Sequence, residues 1–321
     1  MSKLETNISI SPPKEQLMLY CYNEHFNSFV KLYNKKKLPN VILLEGLKGS
    51  GKSTFAYHFI NYMLSFDEKY SYSVEEFKIN PENLTYKFIQ NNTHPNFFLL
   101  ERDLSESYIK IDQVRSLLKF LTKSAYKKNK KIVLIDSADH LNNNSSNALL
   151  HCLEEQSENT FFFIISNNLA KVQNTIKSRC VEYRFHFNFF KKKEIFDKIT
   201  TEHQLNLNNS SLVNFFNFDT PGNILRYFHA FYETDFNFSE DILTSIYYLM
   251  DQYKNKKESY LINFISIFIE SYYNNLSFNN PSNSNAYFTS RDKILYLIND
   301  MQNYNLDKKN LLIEIDNILT N

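Results

Sequence analysis

Residues Gly46–Ser53 of this chain read GLKGSGKS. It fits the pattern G-x-x-x-x-G-K-[ST], and it holds three of the four glycines among 321 residues. A short apolar run, Val41–Glu45, precedes it and a helical pattern follows. Glycine lets the backbone curl tightly, and a helix start presents backbone N–H groups to an anion. The stretch therefore predicts a phosphate-binding loop, and the alternative is a glycine-rich turn without a ligand.

The same loop predicts the contacts of a nucleotide. Lys52 would reach the β- and γ-phosphates, and Ser53 would bind Mg²⁺. A second, acidic group should support the Mg²⁺ from the end of a neighbouring strand, and Asp136 ends the apolar run in KKIVLIDSADHL. We expect ATP or ADP with Mg²⁺ as the cofactor. The predicted nucleotide-binding residues of the loop are Gly46, Leu47, Lys48, Gly49, Ser50, Gly51, Lys52, Ser53 and Thr54.

Hydrolysis is predicted less clearly than binding. A hydrolase needs a group that positions or deprotonates the attacking water. Many related ATPases carry a glutamate directly after the strand-end aspartate, but Ser137 stands here and is no useful base at neutral pH. Asp139 would share the face of Ser137 on an extended strand, and geometry decides whether it substitutes.

Apolar runs alternate with helical patterns in the first half of the chain. This alternation is typical of an α/β domain with a parallel sheet whose strands are buried on both faces. After about residue 187 only helical spacing remains, interrupted by a polar loop that we predict over Asn274–Tyr287. We predict an α/β P-loop domain over 1–187, a small helical lid over 188–235 and an all-α C-terminal domain over 236–321. The predicted strands are Val41–Glu45, Phe97–Glu101, Ile132–Asp136, Phe161–Ser166 and Val181–Phe185, and the predicted helices of the first half are Ser53–Ser65, Ile111–Ala125 and Ser145–Glu155.

Composition limits the classes of function. The net charge is +1, so contact with nucleic acid would depend on local patches. Lysine clusters at 35–37, 127–131 and 191–193 are candidates, although such runs are often solvated faces. Three distant cysteines fit a reducing compartment. The polar N-terminus and the lack of a long apolar run predict a cytoplasmic protein without a membrane partner.

The segment from 131 to 184 resembles the AAA+ clamp-loader subunits of DNA replication. The family pattern has an acidic strand end, a helix reading N-A-L-L-K-x-L-E-E-P, a strand ending in a small polar pair, a T-I pair and S-R-C. Here these places hold Asn147–Leu150 and Leu153–Glu155, then Ser166 and Asn167, then Thr175-Ile176 and Ser178–Cys180. The resemblance covers roughly 20 to 230, and the helical remainder fits the family's C-terminal collar by length and type.

The resemblance implies roles for individual residues. Arg179 would be an arginine finger presented to ATP in a neighbouring subunit, where a fixed guanidinium neutralises charge on the γ-phosphate. Asn167, with Ser166 beside it, would sense the γ-phosphate of the chain's own site. The implied partners are other clamp-loader subunits in a hetero-oligomeric ring, the sliding clamp and primed DNA.

Two departures from the family pattern bear on activity. Motor-type subunits carry an arginine where Gly222 stands, whereas a second type of subunit tends to read S-P-G, which Thr220–Gly222 matches. The four-cysteine zinc module of many relatives is absent from the sequence, so we expect no zinc site.

These observations leave three hypotheses. The first is a clamp-loader subunit that donates Arg179 and binds nucleotide with weak or no hydrolysis. The second is an active ATPase motor subunit, in which Asp139 or a water network replaces the missing glutamate. The third, a small P-loop kinase or nuclease, fits poorly with the S-R-C element and the helical tail.

Overall fold

A five-stranded parallel sheet lies at the centre of the first half of the chain. The computed structural model describes residues 11–103, 106, 108–126, 130–155, 157–202, 219–232, 241–256, 259–304 and 306–320. Each predicted strand is confirmed, with its ends within one residue of the prediction, and the order in the sheet is β2-β3-β4-β1-β5. The strands are β1 (Val41–Glu45), β2 (Phe97–Leu100), β3 (Lys131–Ile135), β4 (Thr160–Ser166) and β5 (Val181–Arg184).

Alternate residues of the central strands enter two separate cores. In β1, Ile42 and Leu44 join one core, whereas Val41 and Leu43 join the other, because successive side chains of a strand point to opposite faces. In β4 every residue is buried. The continuous apolar runs of the sequence thus reflect burial on both faces, as a parallel sheet requires.

Helices cover both faces of this sheet. They are α1 (Asn23–Asn34), α2 (Lys52–Leu64), α3 (Leu84–Gln90), α4 (Ile111–Thr122), α5 (Asn143–Glu154), α6 (Asn174–Lys177) and α7 (Phe189–Glu202). The first core holds aromatic side chains of α1 and α2, including Phe29 and Phe55, whose rings meet edge to face. The second core holds side chains of α4 and α5, including Val114 and Leu149.

The described residues after α7 are helical. The helices are α8 (Pro221–Tyr232), α9 (Ile242–Lys256), α10 (Ser259–Asn279), α11 (Ser284–Tyr304) and α12 (Lys308–Thr320). Helix α9 packs against α10, α10 against α11, and α11 against α12. The sequence predicted a polar loop over Asn274–Tyr287, which is wrong in extent, because α10 continues to Asn279 and α11 begins at Ser284. Exposed asparagine and serine side chains are tolerated at helix ends, so polarity alone did not mark the loop.

The chain divides into two compact units. One contains the described part of Ile10–Glu202 together with Thr220–Gly222, and the other contains Asp219 and the described residues from Asn223 onward. Helix α7 belongs to the unit of the sheet. The three-part division at 187 and 235 stays a prediction, and much of its middle part lies outside the described residues.

Candidate nucleotide site

The topology brings the predicted nucleotide-binding residues and Asp136 to one edge of the sheet, whereas Arg179 lies elsewhere, just before β5. Strand β1 runs into the phosphate loop, β3 runs into Asp136, and β4 ends at Ser166. Because β3, β4 and β1 are parallel neighbours, their carboxyl ends lie side by side. Binding sites of open α/β sheets form at these ends.

The loop leads directly into the buried helix α2. Helix α2 begins at Lys52, and the backbone N–H of Phe55 donates to the Gly51 oxygen over 2.9 Å. The N–H groups in the first turn of a helix have no partner within the helix. Gly51 has φ of 84°, a left-handed conformation that favours glycine. The loop and the start of α2 therefore have the backbone arrangement that an anion cradle would need.

The ammonium group of Lys52 lies inside this loop. Its Nζ donates to the carbonyl oxygens of Gly46 and Leu47 over 2.7 and 2.8 Å, and to Oδ1 of Asn167 over 3.1 Å. Burial lowers the pKa of Lys52 to about 8, although Asp136, Asp139 and Glu45 oppose the shift. The two predicted groups, Lys52 and Asn167, are thus in direct contact.

Asp136 and Ser53 also meet, as the predicted Mg²⁺ site requires. Oγ of Ser53 donates to Oδ2 of Asp136 over 3.0 Å, and Oγ of Ser137 donates to Oδ1 over 3.2 Å. Burial raises the pKa of the Asp136 carboxyl, while these two hydroxyls and Lys52 act in the opposite direction. A hydroxyl beside a carboxylate supplies the oxygen ligands that Mg²⁺ prefers.

The residue after Asp136 turns away from the strand. Ser137 has φ of 63°, and a short 3₁₀ turn, Ala138–His140, follows it. Asp139 therefore does not lie on an extended strand beside Ser137. Its Oδ1 accepts the backbone N–H of Asn167 over 2.9 Å, and its side chain is 8% exposed. Asp139 thus holds the backbone of Asn167, a role that the sequence analysis did not identify.

Ser166 and Asn167 occupy different environments. Ser166 is fully buried at the end of β4, paired in register with Glu45, and its Oγ has no hydrogen-bond partner among the described residues. Asn167 instead reaches Lys52 with its side chain. Of this predicted pair, Asn167 is the one whose side chain contacts the phosphate loop.

Arg179 lies just after α6, with its side chain partly exposed. Its Nε donates to Oε1 of Glu154 over 2.8 Å, and Nη1 donates to the Thr175 oxygen over 2.8 Å. A second guanidinium nitrogen also pairs with Glu154. The L-E-E end of α5 and the S-R-C element therefore contact each other through an ion pair.

The lysine clusters differ in their environments. Lys131 is buried, and its Nζ donates to the oxygens of Phe120, Leu121 and Lys123 at the end of α4. Lys191 pairs with Glu194 over 3.0 Å. The cluster at 35–37 is exposed, and positions 127–129 lie outside the described residues.

Two features are absent from the described residues. Nowhere in that part of the chain do three or more His, Cys, Asp or Glu side chains form a group that could hold a metal ion. Within the same ranges, no helix combines the length and apolarity needed to cross a membrane.

Comparisons with known proteins agree on one family. The family model described as "DNA polymerase III, delta subunit" matches residues 22–188. DNA polymerase III subunit delta' of Pseudomonas aeruginosa is 36% identical over 152 residues, which are 47% of this chain and 44% of that protein. Subunit delta' of Buchnera aphidicola subsp. Schizaphis graminum is 26% identical over 200 residues, 60% of this chain and 59% of its own. The chain thus spans about half the length of the curated relatives it matches.

A solved structure from Thermotoga maritima also matches this chain weakly. It is described as a DNA polymerase III gamma subunit-related protein, with 16% identity and a TM-score of 0.48 over 89% of this chain and 96% of that one. The P-loop fold described above follows from the strand order and the loop themselves.

Proposed function

This chain belongs to the DNA polymerase III delta-subunit family, and from that premise we propose that it is a subunit of a replicative clamp loader. In this proposal it joins other subunits in a hetero-oligomeric ring, which uses ATP to place the sliding clamp on primed DNA. Support comes from the matched relatives, which are subunits delta' of DNA polymerase III.

We further propose that the chain binds ATP or ADP with Mg²⁺. The contacts among Lys52, Ser53, Asp136 and Asn167 support this, because they join phosphate-binding, Mg²⁺-binding and sensing groups at one edge of the sheet. When bound, the nucleotide would bring its negatively charged phosphate chain into the loop, together with the Mg²⁺ ion that accompanies it. Lys52 would then exchange its loop carbonyls for phosphate oxygens.

Hydrolysis at this site is proposed to be weak or absent. A water molecule needs a base or an orienting group within hydrogen-bonding reach. The hydroxyl of Ser137 donates to Asp136, and the Asp139 carboxylate accepts the Asn167 amide. The side chains of Ser137 and Asp139 are therefore both engaged in hydrogen bonds within the protein. This supports a site that binds nucleotide without efficient turnover.

Arg179 is proposed to act in the site of a neighbouring subunit. The single observation that carries this role is the ion pair between Arg179 and Glu154, which presents a partly exposed guanidinium at a fixed place on the surface. In a ring, the arginine would exchange Glu154 for the γ-phosphate of the neighbour's ATP. Such a contribution is worth about 1,000-fold or more in turnover at the site it serves.

The test is the ATPase rate of the reconstituted clamp loader, measured with primed DNA and the clamp present. We expect Arg179→Ala to abolish turnover at one site of the ring. Arg115→Ala is the matched control, because Arg115 is also exposed and paired with a carboxylate, Asp112, on the same unit. Unchanged turnover with Arg179→Ala in an assembled ring would refute the role of Arg179.

The motor alternative is separated by a second variant. Lys52→Ala in this subunit alone should leave the turnover of its partners nearly intact if this site does not hydrolyse ATP. A loss of single-turnover hydrolysis that follows Lys52→Ala in this chain, but not in its neighbours, would favour the motor subunit instead.

A further inference from the structure

The carbonyl groups of the phosphate loop all have hydrogen-bond donors, and three of these donors lie outside the loop. Five consecutive carbonyl oxygens, from Gly46 to Ser50, each accept a hydrogen bond from a side chain or from a distant part of the chain. Lys52 Nζ donates to Gly46 and Leu47 over 2.7 and 2.8 Å, Thr220 Oγ1 donates to Lys48 over 2.7 Å, the Gly222 N–H donates to Gly49 over 3.0 Å, and Tyr22 Oη donates to Ser50.

The turn Thr220–Gly222 fits closely against the loop. These three residues group with the sheet, although the chain before and after them does not. A Cβ atom at Gly222 would lie 2.6 Å from the Gly49 oxygen, so only glycine permits this approach. Pro221 precedes Gly222 and is the first residue of α8, where its ring fixes φ. The turn therefore presents its donors to the loop in a restricted geometry.

Tyr22 reaches the loop from the opposite end of the unit's sequence. Its ring is 3% exposed and contacts the rings of Phe55, Phe185 and Phe187. A Cβ atom at Gly51 would lie 3.1 Å from Cε2 of Tyr22. Because aromatic neighbours fix the ring, its hydroxyl is held at the Ser50 oxygen.

The direction of each carbonyl determines the direction of the next N–H. In a trans peptide the C=O and the following N–H lie in one plane and point opposite ways. Donors at the oxygens of Lys48 and Ser50 therefore direct the N–H groups of Gly49 and Gly51 towards the other side of the loop. Oriented backbone N–H groups of this kind form an anion-binding concavity.

We propose that Tyr22, Thr220 and Gly222 are positioning residues, an outer brace that presets the phosphate loop for its ligand. The inference rests on the proposed nucleotide binding. The brace touches the backbone of the loop rather than the ligand, and it carries no charge. It therefore supports ADP and ATP equally and does not distinguish a γ-phosphate.

The experiment removes one donor at a time without changing the shape of the side chain. Thr220→Val deletes the hydroxyl, and Thr220→Ser keeps it as the matched control. The measurement is the dissociation constant for fluorescent ADP and for fluorescent ATP with Mg²⁺. We expect Thr220→Val to weaken both by about fivefold, the usual effect of one hydrogen bond, and Thr220→Ser to bind as the wild type does.

A second readout requires no nucleotide. Amide hydrogen exchange over the loop should be faster in Thr220→Val than in Thr220→Ser, because the loop N–H groups lose their fixed orientation. Tyr22→Phe, which removes only Oη, should show the same two effects. It replaces Thr220→Val as the test if that variant does not fold.

Three results would overturn the brace: unchanged affinity in both Thr220→Val and Tyr22→Phe, a loss confined to ATP, or equal loss in Thr220→Ser and Thr220→Val. Lys52→Ala separates this failure from that of the proposed function. If the wild type binds no better than Lys52→Ala, nucleotide binding fails and the brace with it. If only Lys52→Ala loses affinity, nucleotide binding stands and the brace alone is refuted.

Discussion

Burial of the Lys52 ammonium makes nucleotide affinity sensitive to pH. Burial lowers its pKa to about 8, and only the protonated form attracts phosphate. Affinity should therefore be constant below about pH 7.5 and fall as the pH rises through 8. At pH 9 about one tenth of the free protein carries the charge. We therefore expect the dissociation constant for ADP to be about tenfold larger at pH 9 than at pH 7. Titration calorimetry or fluorescence at both pH values measures the two dissociation constants.

The control for this pH dependence is Lys52→Ala. Its weak residual binding should vary little between pH 7 and 9, because it lacks the titrating group. A wild-type affinity that stays constant up to pH 10 would contradict a lowered pKa for Lys52.

At the scale of single residues, the sequence predicts groups whose chemistry depends on residue type. Lys52, Ser53 and Asp136 follow from the loop pattern and a strand end, and in the structure Ser53 donates to Asp136 while Lys52 lies inside the loop. The contacts of Tyr22 and Thr220 with the loop could not be predicted, because their hydroxyl groups donate to backbone carbonyls, which every residue has. The contact of Asp139 with the Asn167 amide depends on the left-handed turn at Ser137, which sequence spacing does not reveal.

At the scale of elements, Lys131 connects the start of β3 to the end of α4. Three carbonyl oxygens at the end of α4 receive its ammonium, and a cation at a helix C-terminus also interacts favourably with the helix dipole. We expect Lys131→Met to lower the free energy of unfolding by about 2 kcal/mol. Chemical denaturation measures the change.

The matched control is Lys119→Met on the exposed face of α4. It should change stability by less than about 0.5 kcal/mol, as surface substitutions usually do. Equal effects of the two variants would show that the buried contacts of Lys131 add nothing.

Elements with long apolar patterns were predictable, and short ones were not. Strands β1, β3 and β4 are evident because burial on both faces makes each a largely apolar run, whereas the edge strand β5 is mostly exposed and carries Glu182 and Arg184. Helices α3 and α6 have seven and four residues, too few for a helical period to be visible. The break between α10 and α11 was placed too broadly, because polar residues belong equally to a loop and to exposed helix ends.

At the scale of the whole molecule, the two compact units differ in what holds them together. The unit with the sheet has two large cores, one rich in aromatic rings, on either face of the strands. The other unit is a succession of helices, with buried side chains such as Ile265, Ile294 and Ile315 between neighbours. The phosphate loop and its brace lie in the first unit alone. A ligand on the loop should therefore stabilise one unit and leave the other unchanged.

Calorimetry of the full chain tests this separation. A ligand that binds only the folded state, at 100 times its dissociation constant, adds about 2.7 kcal/mol. For a unit of about 200 residues this corresponds to an increase in Tm of about 5–10 °C. We expect two transitions, of which ADP with Mg²⁺ raises only the one assigned to the sheet unit. Lys52→Ala should abolish the increase and leave both transitions in place without ligand. A single transition, or an equal increase in both, would mean that the two units unfold together, since ligand energy is shared only among residues that unfold cooperatively.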